Sequence, residues 1–82
     1  MREIKVMHAA FIMMVCGKGT AWDVAKKVAK IKGIKVALPV TGPYDVIAYI
    51  EAEDLDKRLK GILQKIHAID AVEMTLTAIA VH

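Results

Sequence analysis

Ile4-Lys5-Val6-Met7-His8-Ala9-Ala10-Phe11-Ile12-Met13-Met14-Val15-Cys16 holds the longest apolar run of the N-terminal quarter and sets the architecture of the chain. It is rich in Val, Ile, Met and Phe, has no helical periodicity and carries no charge beyond Lys5, so a long strand is expected over residues 4–16. Val6, Ala10, Ile12, Met14 and Cys16 fall on one side of it, and Met7, Ala9, Phe11, Met13 and Val15 on the other. A strand that is apolar on both faces is buried on both, which places it inside a sheet rather than at an edge.

Working outward, Gly17-Lys18-Gly19 breaks the strand, and Thr20 with Asp23 three residues later resembles a capping box that opens a helix. Val24, Ala25, Val28, Ala29 and Ile31 give that helix an inner stripe, while Lys26, Lys27, Lys30 and Lys32 lie on its other side or near its end, where cations suit the helix dipole. Gly33 ends it. Residues Ile34 to Thr41 and Val46 to Ala52 read as two strands joined by the hairpin turn Gly42-Pro43-Tyr44-Asp45. Leu55, Leu59, Ile62, Leu63 and Ile66 then mark a second amphipathic helix, started by Glu53 or Asp54. A last strand runs from Val72 to Val81, with Glu73, Thr75 and Thr77 alternating with Met74, Leu76 and Ala78.

The two halves echo each other, since Lys30-Ile31-Lys32-Gly33-Ile34 precedes one strand as Lys65-Ile66-His67-Ala68-Ile69 precedes another. The order β-α-β-β-α-β predicts a ferredoxin-like α+β fold: a four-stranded antiparallel sheet of strand order 4-1-3-2 with both helices on one face. The opposite face is left bare. Because the first strand is central and apolar there too, burying Phe11, Met13 and their neighbours favours association at roughly 25 cal/mol per Å². A dimer through the bare face is expected.

Composition agrees. Eighty-two residues, 56% of them hydrophobic, with a mean hydropathy of +0.42, fit one domain spanning residues 1–82 that holds more apolar material than its own core can hide. No apolar run reaches the ~20 residues that cross a bilayer, and Glu3, Lys5 and His8 interrupt any secretory signal. The single Cys16 suits a reducing cytoplasm and reads as a small buried hydrophobe. The net charge of +3 is mild, and the lysines are spread along helices rather than clustered with aromatics, so direct binding of nucleic acid is not expected. Asn and Ser are absent and Lys, Ile and Val abundant, a thermophile's composition.

Enzyme chemistry finds little to work with. There is no Ser for a nucleophile elbow, no Cys pair and no HExxH, and Gly17-Lys18-Gly19-Thr20 lacks the order of a phosphate loop. Tyr44 and Asp45 are adjacent on an extended segment and point to opposite faces. His8 and His82 lie near neighbouring strand ends without a third ligand at metal spacing. Neither a metal nor a cofactor is expected.

The fold plan does gather polar, turn-forming residues at one edge of the sheet: the Gly17–Thr20 loop, the Gly42–Asp45 turn, the end of the second helix and the start of the last strand. There Gly42 lets backbone come close to a ligand, Asp45 offers a carboxylate for an ammonium group, and Thr75 and Thr77 offer hydroxyls on one side of a strand. The same residues have a plain structural use, in which Gly42 and Pro43 make the turn, Asp45 bonds its own backbone and the threonines fill a strand.

The run Ile34 to Ile47, with Gly42-Pro43-Tyr44-Asp45-Val46 as its centre, and the ending Met74-Thr75-Leu76-Thr77-Ala78-Ile79 resemble the effector-binding domain of the leucine-responsive regulator/AsnC (Lrp/AsnC) family, the RAM module. The resemblance covers nearly the whole chain. It implies a homodimer through the bare sheet faces, commonly assembled into an octamer, with an amino acid held between subunits by Gly42, Tyr44, Asp45, Thr75 and Thr77. Full-length members carry an N-terminal helix-turn-helix, and this chain begins directly with the first strand, so it looks like a stand-alone form. Such a module either senses an amino acid alone or joins helix-turn-helix members in mixed assemblies that regulate transcription. Two other readings share the topology: a small dimeric ferredoxin-like enzyme, and an ACT-like regulatory domain that holds its amino acid near Gly17 and Gly19.

Overall fold

In the computed structural model, which describes residues 6–81, the chain runs β1 (His8–Cys16), α1 (Ala21–Ala29), β2 (Ile34–Pro39), β3 (Val46–Ala52), α2 (Leu55–His67) and β4 (Val72–Ile79). The four strands form one sheet in the order β2-β3-β1-β4, with every neighbouring pair antiparallel. This is the expected ferredoxin-like α+β plan with β1 in the interior of the sheet.

Side-chain alternation sorts the two faces. Ala10, Ile12, Met14 and Cys16 from β1 and Val46, Ala48, Ile50 and Ala52 from β3 are buried. Val24, Ala25 and Val28 of α1 and Leu55, Leu59, Ile62 and Ile66 of α2 complete one core with them. On the other face the apolar side chains stay open. Phe11, Leu38 and Met74 are 43%, 55% and 50% exposed, and the Phe11 ring lies 5.0 Å from that of Tyr49.

Several element boundaries move. The first strand begins at His8, Val6 and Met7 preceding it without strand pairing, while Ile4 and Lys5 lie outside the described residues. The α1 helix ends at Ala29, with Ala29 exposed and Ile31 half-buried in the turn that follows. Strand β2 stops at Pro39, opposite Val46, and β4 at Ile79.

The expected capping box does not form. Thr20 precedes α1 but makes no side-chain cap; its hydroxyl instead donates to the Gly17 carbonyl at 2.6 Å, which the Thr20 N–H also reaches at 3.1 Å. The hydroxyl is spent on closing the loop after β1. At α2 the cap is real, Asp54 accepting from the Lys57 N–H at 3.4 Å.

Candidate functional site at the edge where the first strand ends

The chain enters this edge at the end of β1. Met14 stands in register with Val46 of β3 on one side and Thr75 of β4 on the other. Beyond Met14 the backbone hydrogen bonds diverge. The Cys16 N–H donates to Asp45 Oδ2 at 2.8 Å, whereas the Gly17 N–H turns to the Ala71 carbonyl at 2.8 Å. The pairing of β1 with β4 shifts register between Val15 and Cys16, where these two directions separate.

Asp45 therefore does more than stabilise its own turn, which corrects the plain structural expectation. Its N–H donates to the Met14 carbonyl and its carbonyl accepts from the Val40 N–H, both at 2.9 Å, and its carboxylate reaches a residue 29 positions away. Two of these bonds, to Met14 and Cys16, lock the β2–β3 turn onto the end of β1, and the third, from Val40, closes the turn itself. Gly42 reaches φ +135° in that turn, a conformation that L side chains rarely adopt, and a Cβ there would meet nothing within 4 Å. Its backbone is exposed, and Tyr44 beside Asp45 is half-buried.

Across β1, the Thr75 hydroxyl lies 3.0 Å from His67 Nε2 at the last residue of α2. Thr75 is half-buried and Thr77 exposed. Thr77 pairs with Ile12, about 7 Å further along the sheet and away from the turn. So Asp45 and Thr75 flank the same end of β1, while Thr77 stands back from it.

Two residues that the sequence reading did not single out share this edge. Glu73 lies beside the end of β1, its Oε2 3.8 Å from where a Gly17 Cβ would stand; its alternation with Thr75 and Thr77 was the available signal. His67 is the partner of Thr75. Trp22, in the first turn of α1, is 73% exposed. Between the carboxylates, burial first and then the charges of Asp45 and Glu73 push the Cys16 thiol above its ordinary pKa, so the buried cysteine is held as a neutral thiol.

Two clefts among the described residues touch none of the five candidate residues. One, of about 910 Å³, lies along α2 at the opposite end of the sheet, and the other, of about 250 Å³, lies near His8 and Asp54. The candidate edge is an open rim. Among the described residues no group of three or more His, Cys, Asp or Glu is placed to hold a metal, and His82 lies outside them. No helix among them is long and apolar enough to cross a membrane.

The model of the Lrp/AsnC ligand binding domain matches residues 9–82. Among solved structures, FFRP-DM1 is 34% identical, with 90% of this chain and 99% of that chain covered at a TM-score of 0.78. A hypothetical protein of Pyrococcus horikoshii is 32% identical, with 94% and 92% covered at a TM-score of 0.79. The fold also matches a transcriptional regulator of Neisseria meningitidis solved as a complex with L-Met, at a TM-score of 0.74 and 18% identity, over 92% of this chain and 50% of that chain. Two homocitrate synthases match as well: that of Sulfolobus acidocaldarius at 30% identity over 70% of this chain, and that of Sulfurisphaera tokodaii at 32% over 68%. The match spans only 12% of the length of either enzyme.

Proposed function

The chain belongs to the Lrp/AsnC ligand binding domain family, and from that premise we propose that it is a non-catalytic sensor of a free amino acid, bound at the rim formed by Gly42, Tyr44, Asp45, Thr75 and Thr77. The observation that carries this reading is the bond from the Cys16 N–H to Asp45 Oδ2. It fixes a carboxylate at the rim while using one of the roughly four acceptor positions a carboxylate has. The remaining positions suit an α-ammonium group, and the Thr75 hydroxyl, when it accepts from His67 Nε2–H, keeps its own proton for a carboxylate.

An open rim needs a second wall. The sheet face bearing Phe11, Leu38 and Met74 pairs two chains, and further association of dimers toward an octamer closes the rim over its ligand. That the Neisseria regulator was solved with L-Met supports an amino acid as the ligand class. The chain works in the cytoplasm and passes its signal to helix-turn-helix members of the family in mixed assemblies.

A second reading is favoured by the homocitrate synthase matches, in which a segment like this one forms 12% of an enzyme. In it the chain regulates a biosynthetic enzyme in place of a transcription factor. Both readings require amino-acid binding, which the emission of Trp22, the sole tryptophan, tests directly. Titrating each of the twenty amino acids is expected to shift that emission for one or a few of them, with a matching rise in melting temperature. No response in emission or melting temperature to any of the twenty contradicts both readings.

A further inference from the structure

We propose that the cleft along α2 is a second binding site, independent of the amino-acid rim, for a small polyphosphate-bearing anion. Gly61 is the interior glycine of α2 (Leu55–His67). Glycine is the poorest helix former except proline, so its presence mid-helix calls for a reason. Gly61 is not among the glycines with positive φ, and a Cβ on it would meet nothing within 4 Å. Neither backbone conformation nor internal packing demands glycine there. Gly61 lines the cleft, where its missing side chain leaves the helix backbone open to a bound group.

Gly33, which also lines the cleft, gives the contrast. Its φ is +104°, and a Cβ would stand 3.0 Å from Arg58 Cδ and 3.1 Å from Ile62 Cδ1. The stem of Arg58 thus lies beside Gly33 in the turn before β2, and both residues line the cleft.

The chemistry of the walls points to an anion. Lys57, Gly61 and Lys65 are spaced four apart, so they share one stripe of α2 with a cation on either side of the bare backbone. Lys32 and Lys35 line the opposite wall. Three carboxylates, Glu51, Glu53 and Asp54, also line the cleft, where β3 ends and α2 begins, and are outnumbered by the five cations Lys32, Lys35, Lys57, Arg58 and Lys65. The volume, about 910 Å³, falls within the ~300–1,000 Å³ typical of small-molecule sites. Several phosphates in a row match spaced ammonium and guanidinium groups better than a single carboxylate does.

The test is calorimetric titration of the full chain with inorganic tripolyphosphate, with ATP and with random duplex DNA, at low and high salt. Saturable binding of tripolyphosphate and ATP is expected, weakened by salt. Gly61→Ala is the decisive variant, because it improves the helix and so cannot fail by unfolding. It should raise the melting temperature while weakening tripolyphosphate binding about tenfold. The pair Lys57→Gln with Lys65→Gln should abolish binding, and Lys26→Gln with Lys27→Gln, on α1 outside the cleft, should leave it unchanged. The proposal is overturned by no saturable binding of either anion, by equal affinity in Gly61→Ala, or by a preference for duplex DNA that falls alike in both lysine pairs. Amino-acid binding read from Trp22 is unaffected by any of these variants.

Discussion

Asp45 and Cys16 are joined by a 2.8 Å hydrogen bond from the Cys16 N–H to the Asp45 carboxylate, and that bond turns a hairpin turn into part of a rim. The carboxylate serves both the fold and the proposed ligand, so the two roles are separable by substitution. Asp45→Ala leaves a part-buried N–H without its acceptor and should cost about 1–3 kcal/mol of stability. Asp45→Asn keeps an acceptor for Cys16 and should melt within a few degrees of the parent, yet lose amino-acid affinity about tenfold or more because the ammonium loses its counter-charge. Thermal melts and calorimetry on the pair check both halves.

The two threonines should behave differently. Thr75 flanks the same end of β1 as Asp45 and bonds His67, whereas Thr77 stands opposite Ile12. Thr75→Val should weaken ligand binding by about 1–2 kcal/mol, the worth of one well-placed hydrogen bond. Thr77→Val should weaken it less. Equal losses would mean that the ligand lies further along β4 than the rim.

Cys16 supplies a pH prediction. Burial, followed by the charges of Asp45 and Glu73, raises its folded-state pKa, so above the ordinary thiol pKa the unfolded chain loses a proton that the folded chain keeps. Stability is then fully present below that pKa and declines as pH rises through and beyond it. A melting-temperature profile should fall on the alkaline side, and Cys16→Ala should flatten that fall. Thiol reagents should label the native chain slowly at neutral pH and rapidly once it is denatured.

The bare sheet face yields an assembly prediction. Phe11 lies on the interior strand of that face, 43% exposed, with its ring tilted against that of Tyr49. Phe11→Asp should leave the circular dichroism of the chain intact while weakening self-association by at least about 2 kcal/mol, as truncation of an aromatic anchor does. Sedimentation velocity reads the outcome, and an unchanged distribution would place the interface elsewhere.

Gly33 and Gly61 form a stability contrast. At Gly33 a side chain meets both a positive φ and the Arg58 stem, so Gly33→Ala should destabilise by more than about 1 kcal/mol. Gly61→Ala should stabilise by up to about 1 kcal/mol. Parallel denaturant titrations settle the signs.

The order of elements, the sheet order and the central place of β1 were legible because alternation in β1 and β3 and helical spacing in α2 are local patterns. The ends were less so. Thr20 carries the signature of a helix cap, but its hydroxyl had a nearer acceptor in the Gly17 carbonyl, and a pattern of letters does not rank competing acceptors. Asp45 was legible as a turn residue, while its bond to Cys16 spans 29 positions and depends on how β1 and β3 register. Glu73 and His67 reach the rim from two different elements, so only the assembled fold brings them together. The cleft beside Gly61 was hidden for a similar reason, since the apolar spacing of α2 reads the same whatever stands on its outer face.

The most direct test of the central claim is calorimetry of the purified chain against the amino acid that moves Trp22 emission, repeated on Asp45→Asn. The account predicts saturable binding, no more than one ligand per chain, and a loss of about tenfold or more in the variant. Binding of the same strength in Asp45→Asn would contradict it, because the ligand would then lie away from the rim that the Asp45–Cys16 bond builds.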